Sequence, residues 1–308
     1  MVKITHGDRV VYPADGWTKA DVVAHYGRVA AAMLPHLASR PLTLVRYRTH
    51  IDDKGFFQKN SPEYFPEFIR RIAVAKSDGE SQHASVDSAE GLQYLANQGA
   101  IELHVALASA PALDHPDRLV IDLDPVSDNP AQVRAAARTV RALLEELGCP
   151  SVPVASGGKG YHLYVALAPT ATSEQIARAA LVLANALAHR WPDELTIETL
   201  KKHRKGRVYV DWLRNTWSAT VIAPYSLRAR PRAPVAVPID WDELDEIAPN
   251  HFTIATIGER LGETDALLEL AESPVDARGL CERLEALRDE LALELVRYDR
   301  FGRPMPVE

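Results

Sequence analysis

Arg118-Leu119-Val120-Ile121-Asp122-Leu123-Asp124-Pro125 is an apolar run that ends in two carboxylates and a proline. Side chains two residues apart in a strand share a face, so the stretch predicts a strand with Asp122 and Asp124 together on one face and alternate apolar side chains in the core. Pro125 is expected to end that strand. Paired carboxylates favour a hard cation such as Mg²⁺ or Mn²⁺, although two acids at a strand end can also be merely solvated.

Length and composition predict an ordinary globular protein. The chain has 308 residues, of which 46% are hydrophobic and 25% charged, which allows one large domain or two of average size. Cys149 and Cys281 form no Cys-x-x-Cys pair, so neither a disulfide framework nor a structural zinc site is indicated. The chain start lacks the apolar core of a signal peptide, and no apolar run reaches membrane-spanning length. We expect a cytoplasmic protein with no membrane partner.

The charge is unevenly distributed along the chain. The formal net charge is −7, yet residues 200–232 carry nine Lys or Arg against the single acid Asp211, whereas residues 240–300 carry seventeen acids against six Arg. Phosphate contacts depend on local charge, so the basic segment indicates a groove for polyphosphate or a nucleic-acid backbone. The alternative is a solvated basic surface.

A glycine-rich segment, Ser156-Gly157-Gly158-Lys159-Gly160-Tyr161-His162, enters a predicted strand. It is not a Walker loop, because the spacing differs and a strand rather than a helix follows. Its glycines let backbone N–H groups approach an anion closely, and Lys159 adds positive charge. A plain hairpin turn explains the glycines as well, but not the lysine and histidine beside them.

A third acid stands in the basic segment. Residues 207–211 alternate as a strand and place Arg207, Tyr209 and Asp211 on one face. Asp211 is therefore either the ion-pair partner of its basic neighbours or a metal ligand beside a phosphate site. Phe56 and Phe57 stand close to Lys59, which is typical either of core packing or of a base stacked above a phosphate.

The remaining pattern predicts a mixed α/β chain. Helices are expected over 18–38, where Thr18 and Asp21 resemble a capping box, near 88–97, over 129–148 and from about 172 to 189. Residues 76–88 are polar and predict an exposed loop. Residues 233–308 show no recognisable chemistry, and there is no internal repeat. We expect one compact α/β unit with a wrapped C-terminal segment.

Taken together, the Asp122/Asp124 strand, the Ser156–His162 segment and the Asp211 strand resemble motifs I to III of the archaeo-eukaryotic primase superfamily. They are most similar to the polymerase domain of bacterial ligase D, and the resemblance extends over about residues 5 to 245. It implies a primase-polymerase fold, in which a catalytic sheet of RNA-recognition-motif type packs with an N-terminal α/β unit. We accordingly predict one primase-polymerase domain over 1–308, with an N-terminal α/β part at about 1–110, a catalytic core at about 111–235 and a wrapped segment at about 236–308.

The resemblance also implies site residues. It assigns metal binding and catalysis to Asp122, Asp124 and Asp211. It assigns nucleotide binding to Ser156, Gly157, Lys159, His104, Arg204, Arg228 and Arg230. It assigns base stacking and DNA contact to Phe56, Phe57 and Lys59, and a 5′-phosphate pocket to Arg9 and Lys19. The chain departs from the family pattern at three places, namely Arg9 in place of Lys, Asn60 in place of His, and Val105-Ala106 in place of Pro-Trp.

The implied activity is addition of nucleotides, with ribonucleotides preferred, to 3′ ends at DNA breaks or gaps during end joining. Mn²⁺ or Mg²⁺ is the implied cofactor, and two metals held by paired acids suit an in-line displacement at phosphorus. The implied partners are DNA with 3′ overhangs, gaps or 5′-phosphate ends, NTP or dNTP, a Ku-type end-binding protein and a separate DNA ligase, with a location at the nucleoid. Since no ligase or nuclease motif is found, we expect a stand-alone polymerase. The alternatives are a primase that starts chains de novo and a non-catalytic end-binding module.

Overall fold

A computed structural model describes residues 2–299 and 301–307. The α-helices in this part of the chain are α1 (Lys19–Arg28), α2 (Ala30–Leu37), α3 (Ala89–Asn97), α4 (Pro130–Glu146), α5 (Ser173–Arg190), α6 (Ala266–Ala271) and α7 (Ala277–Glu290). The strands are β1 (Val10–Tyr12), β2 (Trp17–Thr18), β3 (Leu42–Arg46), β4 (Phe56–Gln58), β5 (Arg70–Lys76), β6 (Gly79–Ser85), β7 (Ala100–Ala106), β8 (Arg118–Asp124), β9 (Val152–Ala155), β10 (Tyr161–Ala168), β11 (Leu195–Thr196), β12 (Val208–Asp211), β13 (Thr220–Ile222), β14 (Val237–Pro238), β15 (Val275–Asp276), β16 (Val296–Tyr298) and β17 (Pro304–Pro306).

The chain divides into two compact units. Unit 1 consists of Met1–Leu113, Thr220–Val237 and Asn250–Asp265, and unit 2 of Asp114–Ala219, Pro238–Pro249 and Ala266–Glu308. The predicted single domain with its three parts stays a prediction. Among the residues that are described, no helix is both long and apolar enough to cross a membrane.

Unit 1 is built on an antiparallel sheet in the order β13–β7–β3–β6–β5, with β4 paired to β3. Helix α1 begins at a capping box formed by Thr18 and Asp21, as the sequence predicts, and packs against α3. The predicted continuous helix over 18–38 is wrong, because it breaks at Val29, which ends α1 and begins α2. Strands β1 and β2 form a separate hairpin before α1.

The predicted exposed loop over 76–88 is also wrong. Strands β5 and β6 form a hairpin that turns at residues 77–78, and His83, Ala84 and Ser85 are buried. Polar residues at strand positions hid the period of this hairpin, although the Asp78-Gly79 pair is typical of a tight β-turn.

Unit 2 contains the sheet that carries the aspartates. Strand β8 lies between β12 and β10 and is antiparallel to both, and the order continues to β11 on one side and β9 on the other. The predicted facing of β8 is confirmed, since Leu119, Ile121 and Leu123 are fully buried while the two acids are partly exposed. Helices α4 and α5 both pack against β8, so the sheet face opposite the acids is buried.

Helix ends in unit 2 follow the sequence signals. Asn129 caps α4 with Pro130 in its first turn, and Gly148 follows the helix in the left-handed conformation. Thr172 and Gln175 form a capping box at the start of α5. These two helices lie where the sequence predicts them.

Candidate active site and nucleic-acid interface

Three strands of unit 2 bring acidic and imidazole side chains into one row. Asp211 of β12 and His162 of β10 both lie opposite Asp122 of β8 in the strand register. Directly opposite residues in paired strands point to the same face. His162 Nε2 lies 3.5 Å from Asp122 Oδ1. The second acid of β8, Asp124, lies opposite Tyr209.

Arg214 joins the two central carboxylates. Its Nη2 lies 3.0 Å from Asp211 Oδ2, and its Nε donates to Asp122 Oδ2 at 3.3 Å. Burial raises the pKa of Asp211 to about 6, with the charge of Asp122 adding to the rise and Arg214 and the Leu213 N–H opposing it. Two carboxylates this close repel each other, so the pair attracts a cation.

Asp124 is held by a different arginine. Arg204 Nη1 donates to Asp124 Oδ2 at 2.8 Å, and the same guanidinium donates to the carbonyls of Glu198 and Thr199. It also lies over the Tyr209 ring, 4.5 Å from the centroid, and only 4% of Arg204 is exposed. The structure thus places this predicted triphosphate contact in a buried network around Asp124.

The three aspartates do not form a finished ligand set. Within residues 2–299 and 301–307, no three carboxylate, imidazole or thiol groups gather closely enough to hold a metal ion. Asp122 and Asp211 are paired through Arg214, whereas Asp124 turns to Arg204. The adjacent pair still offers hard oxygen donors of the kind that Mg²⁺ and Mn²⁺ prefer.

The glycine-rich turn adjoins the end of β8. Ser156 Oγ donates to the Gly160 carbonyl at 2.6 Å and accepts from the Gly158 N–H, so the predicted nucleotide contact Ser156 builds the turn itself. Gly157 has a φ of +68°, and its N–H donates to the Pro249 carbonyl. A Cβ atom on Gly160 would lie 1.7 Å from the Leu123 carbonyl oxygen, so no side chain fits there.

Lys159 projects from this turn. Its side chain is 41% exposed, and its ammonium pairs with the carboxylate of Asp128, which is 79% exposed. An ion pair that open to solvent contributes little energy. Lys159 can therefore exchange Asp128 for a phosphate at small cost.

In unit 1 the predicted nucleotide contacts His104 and Arg228 meet at one carboxylate. His104 Nε2 lies 2.9 Å from Glu102 Oε2, and Arg228 Nε and the Ala229 N–H donate to Glu102 Oε1 at 3.2 and 3.0 Å. Arg230 follows two residues later and is exposed. Sequence reasoning missed Glu102, although it stands two residues before His104 on a strand and therefore shares its face.

The predicted stacking residues lie on β4 of the same unit. Phe57 is 71% exposed and Phe56 is 40% exposed, whereas buried core packing would have covered them. The Phe57 ring lies 6.1 Å from the His104 ring, and the Arg46 guanidinium lies 5.6 Å from the Phe56 centroid. Lys59 is exposed at the end of this strand. Exposed aromatic rings beside cations suit the stacking of nucleic-acid bases.

Arg9 and Lys19 come together at the β1–β2 hairpin. The Lys19 N–H donates to the Arg9 carbonyl at 2.8 Å. The Lys19 ammonium donates to the Thr5 carbonyl and hydroxyl at 2.6 and 3.0 Å. Burial lowers the pKa of Lys19, and the positive charge of Arg9 lowers it further. Two cationic residues whose backbones are hydrogen-bonded to each other are suited to an anion with more than one charge.

Sequence reasoning also missed Arg214 as a site residue. It stands three residues after Asp211, at the end of the strand that carries this acid. Short turns place residues three apart close together, so the spacing was the available signal.

Comparisons with known proteins identify the family of the chain. Residues 18–268 match the family described as LigD, primase-polymerase domain. The chain is 37% identical over 305 residues to the multifunctional non-homologous end joining DNA repair protein LigD of Mycobacterium tuberculosis, and the match covers 94% of this chain and 39% of that protein. It is 33% identical over 263 residues to the bifunctional LigD of Bacillus subtilis, covering 84% of this chain and 42% of that protein.

A solved structure shows the same fold. The polymerase domain of Mycobacterium tuberculosis ligase D in complex with DNA aligns with a TM-score of 0.81 at 36% identity, covering 89% of this chain and 99% of that one. The chain belongs to the LigD primase-polymerase domain family. The predicted family, fold class and enzyme class, a nucleotidyltransferase, are confirmed. The chain spans about two fifths of the length of the curated relatives it matches.

Proposed function

We propose that this chain adds nucleotides to 3′ ends at DNA breaks or gaps, and that the adjacent acids Asp122 and Asp211 are the centre of catalysis. The observation that carries the proposal is the pairing of these two carboxylates by register, with the pKa of Asp211 raised and Arg214 bound to both. Nucleotidyl transfer uses divalent cations, and paired carboxylates are the protein groups that bind them.

The proposed cofactor is Mn²⁺ or Mg²⁺. Asp122 and Asp211 fit such an ion because they are adjacent and partly desolvated, and because Arg214 now binds both carboxylates where a metal cation would bind them. Asp124 completes the proposed set if Arg204 shares or releases its carboxylate. When bound, the cation supplies charge neutralisation and polarisation to the 3′-hydroxyl and the pyrophosphate leaving group.

The other predicted residues take binding roles in this proposal. In unit 2, Lys159 on its exposed turn binds nucleotide phosphate, while Ser156 and Gly157 set the shape of the turn. In unit 1, His104, Arg228 and Arg230 bind nucleotide phosphate. Arg204 acts by holding Asp124. The exposed Phe56 and Phe57 stack on bases, Lys59 contacts the DNA backbone, and Arg9 and Lys19 contact a 5′-phosphate.

The proposal extends to substrates and partners. The names of the relatives place them in non-homologous end joining, and the neighbouring structure contains DNA. By that likeness we propose broken or gapped DNA as the substrate, ribonucleotides as the preferred monomers, and a Ku-type protein and a separate ligase as partners at the nucleoid.

The test is a primer-extension assay. The protein is incubated with Mn²⁺ or Mg²⁺, each NTP or dNTP, and labelled DNA that carries a 3′ overhang or a one-nucleotide gap. We expect extension of the labelled 3′ end that stops on addition of a chelator. Failure to extend any primed DNA with any nucleotide would overturn the proposal. A parallel reaction on unprimed single strands tests the primase alternative, which requires products without a 3′ end.

The matched variants are Asp122→Ala and Asp128→Ala. We expect Asp122→Ala to lower extension by at least about a thousandfold, as loss of a metal-ligating acid removes a transition-state interaction of several kcal/mol. Asp128→Ala removes an exposed carboxylate near the same turn and should keep kcat. DNA binding by Asp122→Ala should stay close to that of the unmodified protein. Loss of extension with retained DNA binding distinguishes an enzyme from the non-catalytic end-binding module.

A further inference from the structure

Glu102 is the carboxylate on which two predicted nucleotide contacts converge. It accepts from the His104 ring, from Arg228 Nε and from the Ala229 backbone, so three donors from two separate segments meet on its two oxygens. Arg228 uses Nε in this contact, the guanidinium nitrogen closest to its aliphatic stem. A hydrogen bond at this nitrogen restricts the rotation of the guanidinium plane about the side-chain stem.

The strand register places Glu102 on the face that carries the exposed aromatic. Phe57 of β4 lies opposite Val45 of β3, and Val45 lies opposite Glu102 of β7, so the three residues form a row across the sheet. His104 shares this face two residues further along β7. Its ring lies edge-on to the Phe57 ring. The carboxylate therefore sits beneath the surface from which Phe57 projects.

The electrostatics require Glu102 to be charged. Only 8% of the residue is exposed, and burial alone would raise its pKa. The hydrogen bond from His104, the Arg228 charge and the Ala229 N–H outweigh burial and hold the pKa at about 2. A buried charge is costly unless it is paired, and replacing such a group by apolar packing is often neutral for stability. We therefore expect Glu102 to contribute to the orientation of its hydrogen-bond partners rather than to the free energy of folding.

We propose that Glu102 is a positioning residue for nucleotide binding, which holds His104 and Arg228 in the orientation that receives the triphosphate. This inference rests on the proposed function, in which both residues contact that group. Glu102 itself touches no substrate. It acts through the direction of two donors that would otherwise sample several rotamers.

Unit 1 offers a matched control in Asp265. This carboxylate is also largely buried, and it binds a histidine, His36, at 2.8 Å and the Tyr225 hydroxyl at 2.8 Å. None of these residues is assigned to the nucleotide. Asp265→Asn therefore reproduces the loss of a buried carboxylate and histidine pair without altering the proposed triphosphate contacts.

The experiment is a mutant cycle read as KM and kcat for NTP on gapped DNA. Glu102→Gln keeps the shape of the side chain but loses its charge and turns an amide group towards a donor. We expect KM to rise about tenfold, which corresponds to about 1.4 kcal/mol, with kcat within about twofold. Combined with Arg228→Ala, Glu102→Gln should raise KM by clearly less than its own factor, because the part of its effect that passes through that arginine is already lost and only the part through His104 remains. Asp265→Asn should lower the thermal midpoint and leave KM unchanged.

Three results would overturn the inference: an unchanged KM for Glu102→Gln, effects of Glu102→Gln and Arg228→Ala on KM that multiply, or an equal rise of KM in Asp265→Asn. The last would mean that any loss of stability in unit 1 weakens nucleotide binding. If Glu102→Gln does not fold, Glu102→Asp, which keeps the charge but is one methylene shorter, enters the same cycle with the same criteria. An inactive unmodified protein would instead refute the proposed function, so the two failures are distinct.

Discussion

His25 is a titratable side chain buried completely inside unit 1. Its Nε2 lies 3.1 Å from the Tyr225 carbonyl oxygen, so this nitrogen carries the proton and donates it. Burial lowers the pKa of His25 to about 4, against a partly compensating effect of that hydrogen bond. The unfolded chain, with an ordinary histidine pKa near 6.5, therefore binds a proton at a pH where the folded chain does not.

The sign of the pH dependence follows from this order of pKa values. The stability that neutral His25 contributes is complete above about pH 6.5 and is lost as the pH falls towards 4, by up to about 3 kcal/mol. We expect chemical denaturation at pH 7, 6 and 5 to show this loss, and His25→Gln to flatten it while lowering stability at pH 7. The exposed His189→Gln should keep the slope of the unmodified protein. Equal slopes for His25→Gln and the unmodified protein would contradict the prediction.

Single residues of the site were predicted unevenly. The spacing of Asp122 and Asp124 fixed their common face, because strand periodicity is local. The contacts of Arg204 with Asp124 and of Arg214 with Asp122 join segments that are 80 and 92 residues apart in the chain, so no local pattern indicates them. Only the contact of Arg214 with Asp211, three residues earlier, has a local signal in the sequence.

At the scale of elements, the approach of β10 to β8 depends on Gly160. A Cβ atom there would overlap the Leu123 carbonyl oxygen, a backbone atom that cannot rotate away. We expect Gly160→Ala to separate the two strands and to lower the free energy of unfolding by about 1–3 kcal/mol. Nucleotide addition should also fall, because His162 moves away from Asp122.

The measurement is denaturation followed by the extension assay at a temperature where both proteins stay folded. Gly258→Ala is the control, because a Cβ atom on Gly258 meets nothing within 4 Å, and its stability should change by no more than about 0.5 kcal/mol. Equal stability of Gly160→Ala and Gly258→Ala would show that the strands tolerate a side chain at this contact.

Element prediction succeeded where local signals agreed. Caps at Thr18, Asn129 and Thr172 gave correct helix starts, since the capping residue and the turn it caps are adjacent in sequence. The β5–β6 hairpin was missed because β6 is polar and because the stability of such a strand comes from neighbours that only the fold supplies. The break at Val29 has the same origin, as nothing in the local period marks it.

At the scale of the whole molecule, the residues proposed to act on one DNA are divided between the two units. The aspartates and Lys159 belong to unit 2, whereas Arg9 and Lys19 belong to unit 1. The sequence predicted the family and its motifs, but their division between units depends on segments that leave unit 1 after residue 113 and return at 220. A local sequence pattern does not indicate that a later segment of the chain packs in an earlier unit.

The 5′-phosphate proposal gives a prediction about substrate ends. Burial lowers the pKa of Lys19 and the positive charge of Arg9 adds to this effect, so a dianionic terminal phosphate would neutralise both cations. Charge-assisted hydrogen bonds from the two cations favour it over a hydroxyl by roughly 1–3 kcal/mol. We therefore expect gapped DNA with a 5′-phosphate to bind about one to two decades more tightly than the same DNA with a 5′-hydroxyl, at ~1.4 kcal/mol per decade.

The double change Arg9→Ala, Lys19→Ala should erase this difference and spare extension of a simple primer-template at saturating DNA. Both DNAs are titrated with both proteins at one fixed salt concentration, because backbone contacts weaken as salt rises. The charge-matched control is the double change Lys201→Ala, Lys202→Ala, which removes two exposed cations. It should weaken the binding of both DNAs equally. Only a contact with the terminal phosphate can distinguish the two DNA ends. Equal affinity of the unmodified protein for the two DNAs would therefore contradict the proposed 5′-phosphate pocket and favour the primase alternative.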